Sequence, residues 1–305
     1  GCKRMKQKGR LFFGCVLCAA LVTLGFLLNV DRDEVIAAAE ESHVPPVKEV
    51  FSSKPDVAFV GDDFSLPSVD NDKPVYDKYT TRQRQEKGLP TTYGGTRDYY
   101  YGDNVVYLTF DDGPNDKNTP RILEILKKEN IKATFFLTGQ NVARYPDVVK
   151  QIYQSGNAMG LHSYTHDYKK LYQSPTAYID EMMQTEEAIY NVIGVRPIIS
   201  RAPGGTKGHF TDAFWPAIEQ LGYVEVGWNA LTGDADGTGK SAGKAVENIK
   251  QQLELRPYLH RHLVILMHDA SGHGATVDAL PAIIKLLKDR GYTFRVVTTA
   301  IPPSW

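Results

Sequence analysis

From residue 105 onward, short apolar runs typical of buried strands alternate with stretches whose apolar residues recur every three or four positions, as in helices. The predicted strands cover residues 105–110, 132–138, 158–161, 197–201, 223–228, 263–267 and 292–298. The predicted helices cover residues 119–129, 146–155, 175–193, 211–221, 241–255 and 276–290. This alternation predicts a parallel sheet or a closed barrel. About seven strands suit a barrel one unit short of the eight-stranded form.

The amino-terminal end of the chain has a different pattern. Lys and Arg are concentrated in residues 1–10, an uncharged and mostly apolar run covers residues 11–30, and acidic residues follow from Asp31. About 20 apolar residues can cross a bilayer, and the basic flank stays in the cytoplasm. We therefore expect a single-pass cell-membrane segment with the rest of the chain extracytoplasmic. Cleavage near Ala39 would instead give a secreted protein.

Composition adds three constraints. The formal net charge is −1, which gives no sign of nucleic-acid binding. The three cysteines, Cys2, Cys15 and Cys18, lie in or beside the membrane segment, so disulfides and cysteine chemistry are excluded from the rest. Residues 31–102 carry scattered prolines and charges without periodicity, which predicts an extended or partly disordered spacer. The predicted organisation is a basic tail at 1–10, a membrane segment at 11–30, a spacer at 31–102 and a folded domain at 103–305.

Polar side chains follow three of the predicted strands, at the strand ends where α/β sheets and barrels bind ligands. Asp111 and Asp112 end the first strand, and their side chains point to opposite faces, so the two carboxylates can have different tasks. His162 and His166 follow the third strand at a spacing that puts both rings on one side of a helical turn, and His268 follows a later strand. Two His and one Asp suit a catalytic metal. Each motif alone is more often a capping turn or an ordinary histidine.

Four segments, TFDDGP, HSYTH, RAPGG and ILMHD, occur in this order and resemble the motifs of the polysaccharide deacetylases, which are the family 4 carbohydrate esterases or NodB homology domains. The resemblance extends from residue 105 to residue 298. It implies a distorted (β/α)7-type barrel that removes acetyl groups from N-acetylated or O-acetylated sugars. It also implies a divalent metal, usually Zn²⁺, with Co²⁺ or Mn²⁺ as alternatives.

The resemblance also implies a role for each matching residue. Asp112, His162 and His166 resemble the metal ligands. Asp111 resembles the catalytic base, which takes a proton from the attacking water. His268 resembles the general acid, which protonates the leaving amine and needs a pKa near the working pH.

Three further residues have expected roles beside this core. Arg201 would pair with Asp111 and hold it ionised, although a structural salt bridge is the commoner role of an arginine. Gly204 would offer its backbone N–H to the oxyanion. Leu266 fits the aliphatic side of the acetyl pocket, and a buried strand residue is an equally good interpretation.

The chain departs from the family pattern in two motifs. Gly204 replaces the usual Tyr, which keeps the N–H but removes an aromatic wall. The fourth motif, usually DxxDW, has Leu231 and Ala235 in place of its first Asp and its Trp, and keeps Asp234. Asp234 is expected to tune His268, and capping of a Gly-rich turn is its alternative role.

The sequence thus predicts a metal-dependent deacetylase of an N-acetylated cell-envelope glycan, most plausibly peptidoglycan, because an anchor and a spacer would hold the domain near the wall. The expected partners are this glycan and, through the amino-terminal segment, the membrane. Chitin oligomers, an exopolysaccharide or O-acetylated xylan are alternative substrates. A catalytically impaired glycan-binding homologue is the alternative from another class, which the retained acid, base and metal set argue against. A phosphatase of the Asp-x-Asp kind is a weaker alternative, because the carboxylates here are adjacent.

Overall fold

The structure is a computed structural model that describes residues 55–304. The basic tail, the predicted membrane segment at 11–30 and the possible cleavage site near Ala39 lie outside the described residues. Within residues 55–304, no helix combines the length and apolarity that a membrane crossing needs.

Strands and helices alternate through most of the described chain. Strands β1 to β11 span Ala58–Phe59, Val75–Asp77, Val105–Asp111, Thr134–Leu137, Ala158–Leu161, Arg196–Pro197, Ile199–Ser200, Val224–Glu225, Ala230–Leu231, His262–His268 and Thr293–Phe294. Helices α1 to α9 span Thr81–Glu86, Asn118–Glu129, Gly139–Arg144, Pro146–Gln154, Tyr168–Leu171, Pro175–Ile193, Phe214–Glu219, Ala242–Leu255 and Gly274–Asp289.

Eight of the strands form one parallel sheet with the order β8-β7-β5-β4-β3-β10-β9, and β11 also pairs with β3. Alternate residues of β3 face two different cores. Val105 and Tyr107 pack in an inner apolar cluster, whereas Val106 and Leu108 pack with the helices outside. This arrangement confirms the predicted α/β class with parallel strands, in the form of a curled half-barrel.

The long elements agree with the sequence pattern because local signals mark their ends. Helix α6 begins after Ser174, whose side chain accepts a hydrogen bond from the N–H of Ala177, and Pro175 takes the first helical position. It ends at Gly194, which has a positive φ of 74°. Its bounds and those of β5 match the prediction. The predicted strand at 197–201 is instead two short strands, since β6 pairs with β2 and β7 with β5.

Residues 55–102 are folded, which corrects the prediction of a spacer for this range. Strands β1, β2 and β6 form a small separate sheet. Asp77, at the end of β2, is fully buried and binds two fully buried arginines: its Oδ2 lies 2.6 Å from Nε of Arg84 and 2.9 Å from Nη2 of Arg196. Arg196 also binds Glu186 on α6 at 2.7 Å. Charged residues are normally expected at the surface, but these are buried. The pattern of apolar residues therefore could not predict this part of the core.

Candidate active site

Strands β3 and β10 place two of the predicted catalytic residues side by side. The strands pair residue by residue in parallel, and this register sets His268 opposite Asp111 at their carboxyl ends. Leu266 pairs in the same way with Thr109. In-register residues of neighbouring strands share a face of the sheet, so these four side chains lie on the inner face.

Asp112, His162 and His166 converge on one point. Oδ1 of Asp112 lies 3.2 Å from Nε2 of His162 and 3.0 Å from Nε2 of His166. Nδ1 of His162 lies 2.8 Å from the carbonyl oxygen of Arg201, and donation of that hydrogen bond leaves the lone pair on Nε2. Among the described residues, Oδ1 of Asp112 is buried without a hydrogen-bond partner. This donor set fits a divalent metal ion with an open position.

The charges of this set suit a cation. Burial by itself raises the pKa of Asp112, but the two neighbouring imidazoles outweigh it and hold that pKa well below its usual range. Burial likewise lowers the pKa of His162, whereas Asp111 and Asp112 raise it, and the net shift is upward. An ionised carboxylate therefore lies between two nitrogen ligands.

The loop that carries the two histidines is not helical, which corrects the expectation of a helical turn. Ser163 and His166 have φ angles of 62° and 57°, and Asp112 has a φ of 73°. Such left-handed conformations cost non-glycine residues roughly 1–2 kcal/mol each and occur often at functional sites. Glu181 on α6 holds the loop by accepting hydrogen bonds from two of its backbone N–H groups.

Arg201 lies beside the predicted base. Its Nη1 is 2.9 Å from Oδ1 of Asp111 and 2.7 Å from Oγ1 of Thr109. Both Arg201 and Asp111 are buried, and the guanidinium also packs 4.2 Å from the ring centre of Phe136. The other oxygen of Asp111 is 3.8 Å from Nε2 of His162. Asp111 is therefore held between the guanidinium of Arg201 and the imidazole of His162.

His268 and Asp234 form the acid side of the site. Nδ1 of His268 lies 2.9 Å from Oδ1 of Asp234, and Oδ2 accepts hydrogen bonds from the N–H of His268 and from Oγ1 of Thr276. Burial lowers the pKa of His268, but Asp234 and the charge of Asp111 outweigh it and raise the pKa to about 9. Burial also raises the pKa of Asp234, and His268 reverses this shift. The geometry matches a protonated imidazole held by a carboxylate.

Comparisons with known proteins agree with this arrangement. The family model described as "Polysaccharide deacetylase" matches residues 99–226. A putative polysaccharide deacetylase, YheN, of Bacillus subtilis is 36% identical over 206 residues, which cover 66% of this chain and 70% of the relative. The chain belongs to the polysaccharide deacetylase family.

Two further matches cover the same region. A peptidoglycan-N-acetylglucosamine deacetylase of Bacillus cereus is 38% identical over 190 residues, which cover 62% of this chain and 68% of the relative. The crystal structure of the polysaccharide deacetylase Bc1974 from Bacillus cereus superposes with a TM-score of 0.60 at 36% identity, and the match covers 66% of this chain and 97% of that one.

Two aromatic side chains lie beside the RAPGG segment, in which Gly204 replaces the usual Tyr. Gly204 has a φ of 72°, and a Cβ there would lie 2.8 Å from the hydroxyl of Tyr168. The Tyr168 ring packs edge-on against His166 with centroids 5.4 Å apart. Trp228 lies beside Gly205 and 5.7 Å from the guanidinium of Arg201. The sequence analysis identified neither aromatic residue, although Tyr168 follows His166 by two positions.

Leu266 lies beside the replaced fourth motif. Leu231 on β9 pairs in register with Leu266 on β10, and both are half-buried. The structure therefore places Leu266 on the inner face, two residues before His268, and gives it an aliphatic neighbour where the family has an Asp. Ala235 is exposed.

Proposed function

We propose that this domain is a metal-dependent hydrolase that removes acetyl groups from the N-acetylated amino sugars of peptidoglycan. The observation that carries the proposal is the register of β3 and β10, which pairs Asp111 with His268. The next residue, Asp112, has its Oδ1 within 3.2 Å of Nε2 of both His162 and His166. The Bacillus cereus relative, named as a peptidoglycan-N-acetylglucosamine deacetylase, supports this substrate. The donor set favours Zn²⁺, because two imidazoles and a carboxylate are common ligands of catalytic zinc.

When bound by Asp112, His162 and His166, the ion would supply Lewis-acid chemistry, which polarises a carbonyl and makes water a stronger acid. Asp111 takes the proton of the attacking water, and Arg201 holds the carboxylate in place. The backbone N–H of Gly204 is available to the oxyanion.

His268 then gives its proton to the departing nitrogen. An amine is a poor leaving group unless it is protonated, and the raised pKa of His268 keeps a proton on the ring at neutral pH. A protonated His268 is therefore most useful for an N-acetyl substrate, whose leaving group is an amine.

The test is the release of acetate from peptidoglycan, chitin oligomers and acetylated xylan, with zinc content measured in the same preparations. We expect the highest kcat/KM on peptidoglycan and about one Zn²⁺ per chain at low free zinc. Asp111→Asn should lower kcat by about 100-fold or more, because the general base is lost. The zinc content should stay, because Asp111 is not in the ligand set.

Asp212→Asn is the matched control, since Asp212 is an exposed aspartate before α7. It should change neither acetate release nor zinc content. Near wild-type turnover in Asp111→Asn would exclude Asp111 as the base. A higher kcat/KM on xylan or chitin would show that the domain is a deacetylase whose substrate is that glycan and not peptidoglycan.

The location of the domain is part of the same proposal. We infer an extracytoplasmic domain held by the apolar segment at 11–30, because basic residues precede this segment and acidic residues follow it. Protease added to intact cells should then degrade the domain. A cytoplasmic marker protein should survive in the same cells, and protection of the domain would reverse the proposed topology.

A further inference from the structure

His273 lies against the acid side of the site and has no part in the reaction proposed above. It immediately precedes α9, and its ring stacks on that of His268 with centroids 5.2 Å apart and planes inclined by 29°. Its Nδ1 is 3.7 Å from Oδ2 of Asp234, whose Oδ1 is bonded to His268. One carboxylate and two imidazoles therefore meet here, and we call Asp234, His268 and His273 the acid-side cluster.

The acid-side cluster repeats the donor set of the metal ligands. Each group offers one carboxylate and two imidazoles, and in each the ligand atoms lie within 4.8 Å of one another. The two imidazole rings are 5.3 Å apart in the metal set and 5.2 Å apart in the acid-side cluster. Nitrogen and oxygen donors with such spacing suit Zn²⁺.

We propose that the acid-side cluster is a second divalent-metal site, and that an ion bound there inhibits the deacetylase by occupying Nδ1 of the general acid. The proposal that a metal ion binds to this cluster rests on the geometry alone. The proposal that the ion inhibits the enzyme rests also on the proposed function. The ion replaces the proton on Nδ1 of His268, and that proton goes to solvent. The ring keeps its proton on Nε2. A neutral imidazole bound to a metal gives up a proton far less readily than an imidazolium does.

The second site is weaker than the first. Both oxygens of Asp234 already accept hydrogen bonds, from His268 and Thr276, whereas Oδ1 of Asp112 has no such partner within residues 55–304. Nδ1 of His268 is also bonded to Oδ1 of Asp234, so an ion must displace the proton on that nitrogen and break this hydrogen bond before it can bind.

His273 is well suited to be a metal ligand at neutral pH. Burial lowers its pKa, which keeps the ring neutral at neutral pH and leaves it a lone pair for a metal. The second ion should thus bind only when free zinc is in excess of what the first site needs.

The test is a zinc titration of the holoenzyme by equilibrium dialysis, with acetate release measured in the same samples. We expect one Zn²⁺ per chain at low free zinc and two at high free zinc, with turnover falling as the second ion binds. His273→Asn removes one of three ligands. It should keep the first ion, lose the second, and raise the zinc concentration for half-inhibition by at least about tenfold.

Two further variants make the result specific. His273→Phe keeps a ring against His268 and removes only the nitrogens, so it should behave as His273→Asn does. His262→Asn is the matched control, because His262 lies at the opposite end of β10 and belongs to neither group. It should keep both the second ion and the inhibition.

Three outcomes would decide against part of the proposal. A single ion per chain in the wild-type enzyme at every zinc concentration would overturn the second site. Inhibition of both His273 variants at the wild-type zinc concentration would place the inhibitory ion elsewhere. Two bound ions without acetate release from any glycan would refute the proposed function and support the second site as a binding site.

Discussion

Tyr168 occupies the space into which a side chain at residue 204 would project. Because Gly204 has a positive φ and its Cβ would lie 2.8 Å from the Tyr168 hydroxyl, a tyrosine at residue 204 would be strained and would collide with Tyr168. An aromatic ring therefore still lies beside residue 204, although Gly204 replaces the Tyr that is usual at this position. Tyr168, the first residue of α5, thus occupies space that a side chain at residue 204 would need.

Motif residues could be predicted because each motif ends a strand, and the carboxyl ends of parallel strands meet at one edge. The structure brings Asp111, Asp112 and His268 together as this rule requires. Tyr168 at the start of α5 and His273 just before α9 lie outside the four motifs, and no local pattern marks them. Their positions follow from where α5 and α9 begin relative to the sheet, which only the fold decides.

The partnership of Asp234 with His268 leads to a prediction for the pH dependence of turnover. His268 must carry a proton to act as the acid, so the rate falls as the pH rises through its pKa of about 9. Asp234→Asn removes the carboxylate that raises this pKa. The alkaline limb of the kcat profile should therefore move to lower pH, and turnover at neutral pH should fall while the first zinc ion stays.

Asp236→Asn is the matched control, because Asp236 is an exposed aspartate of the same turn whose Oδ1 accepts hydrogen bonds from Thr238 and not from His268. It should leave the alkaline limb where it was. If Asp234 merely caps the turn, Asp234→Asn would lower the melting temperature without moving the limb. The pH profile and the melting temperature of both variants separate the two roles.

At the scale of elements, the sequence pattern predicts long helices and strands better than very short ones. Helix α6 and strand β5 have the predicted bounds, because periodicity and end signals act within the segment itself. Strand β9 has two residues and was not predicted. It exists because Ala230 and Leu231 pair with β10, a contact between distant parts of the chain. Sequence periodicity cannot indicate an element that tertiary pairing alone creates.

The backbone conformation of the segment between β5 and α5 could not be predicted from residue spacing either. A spacing of four between His162 and His166 suits a helix, yet both rings reach Asp112 from a loop. Two residues of that loop are left-handed, and Glu181 fixes its backbone. The residue types predicted that Asp112, His162 and His166 lie together, and they do, but the spacing indicated the wrong backbone conformation.

At the scale of the whole molecule, the folded unit begins earlier than the motifs indicate. The described residues, 55–304, all belong to one compact unit, whereas the predicted domain began at residue 103. The added segment contributes Phe64 and Val75 to a small apolar cluster. It is also joined to β6 and α6 through buried charges that the hydropathy of the segment conceals.

These buried charges lead to the final prediction, which concerns stability. Asp77 accepts hydrogen bonds from both Arg84 and Arg196, and all three side chains are fully buried. Asp77→Ala would leave two guanidinium groups inside the protein without their common carboxylate. Loss of one partner of a buried ion pair typically costs about 3–5 kcal/mol of unfolding free energy. Urea unfolding, followed by tryptophan fluorescence, measures the change.

Asp56→Ala is the control for Asp77→Ala, because it removes an exposed ion pair from the same segment instead of a buried one. Asp56 binds Lys73 at 2.8 Å, but both side chains are exposed, so its removal should change the unfolding free energy little. If residues 55–102 only lie on the half-barrel as a spacer would, both variants should unfold at the wild-type urea concentration. A loss confined to Asp77→Ala would show that the segment is part of the cooperative unit, because a buried charge destabilises only the structure that buries it.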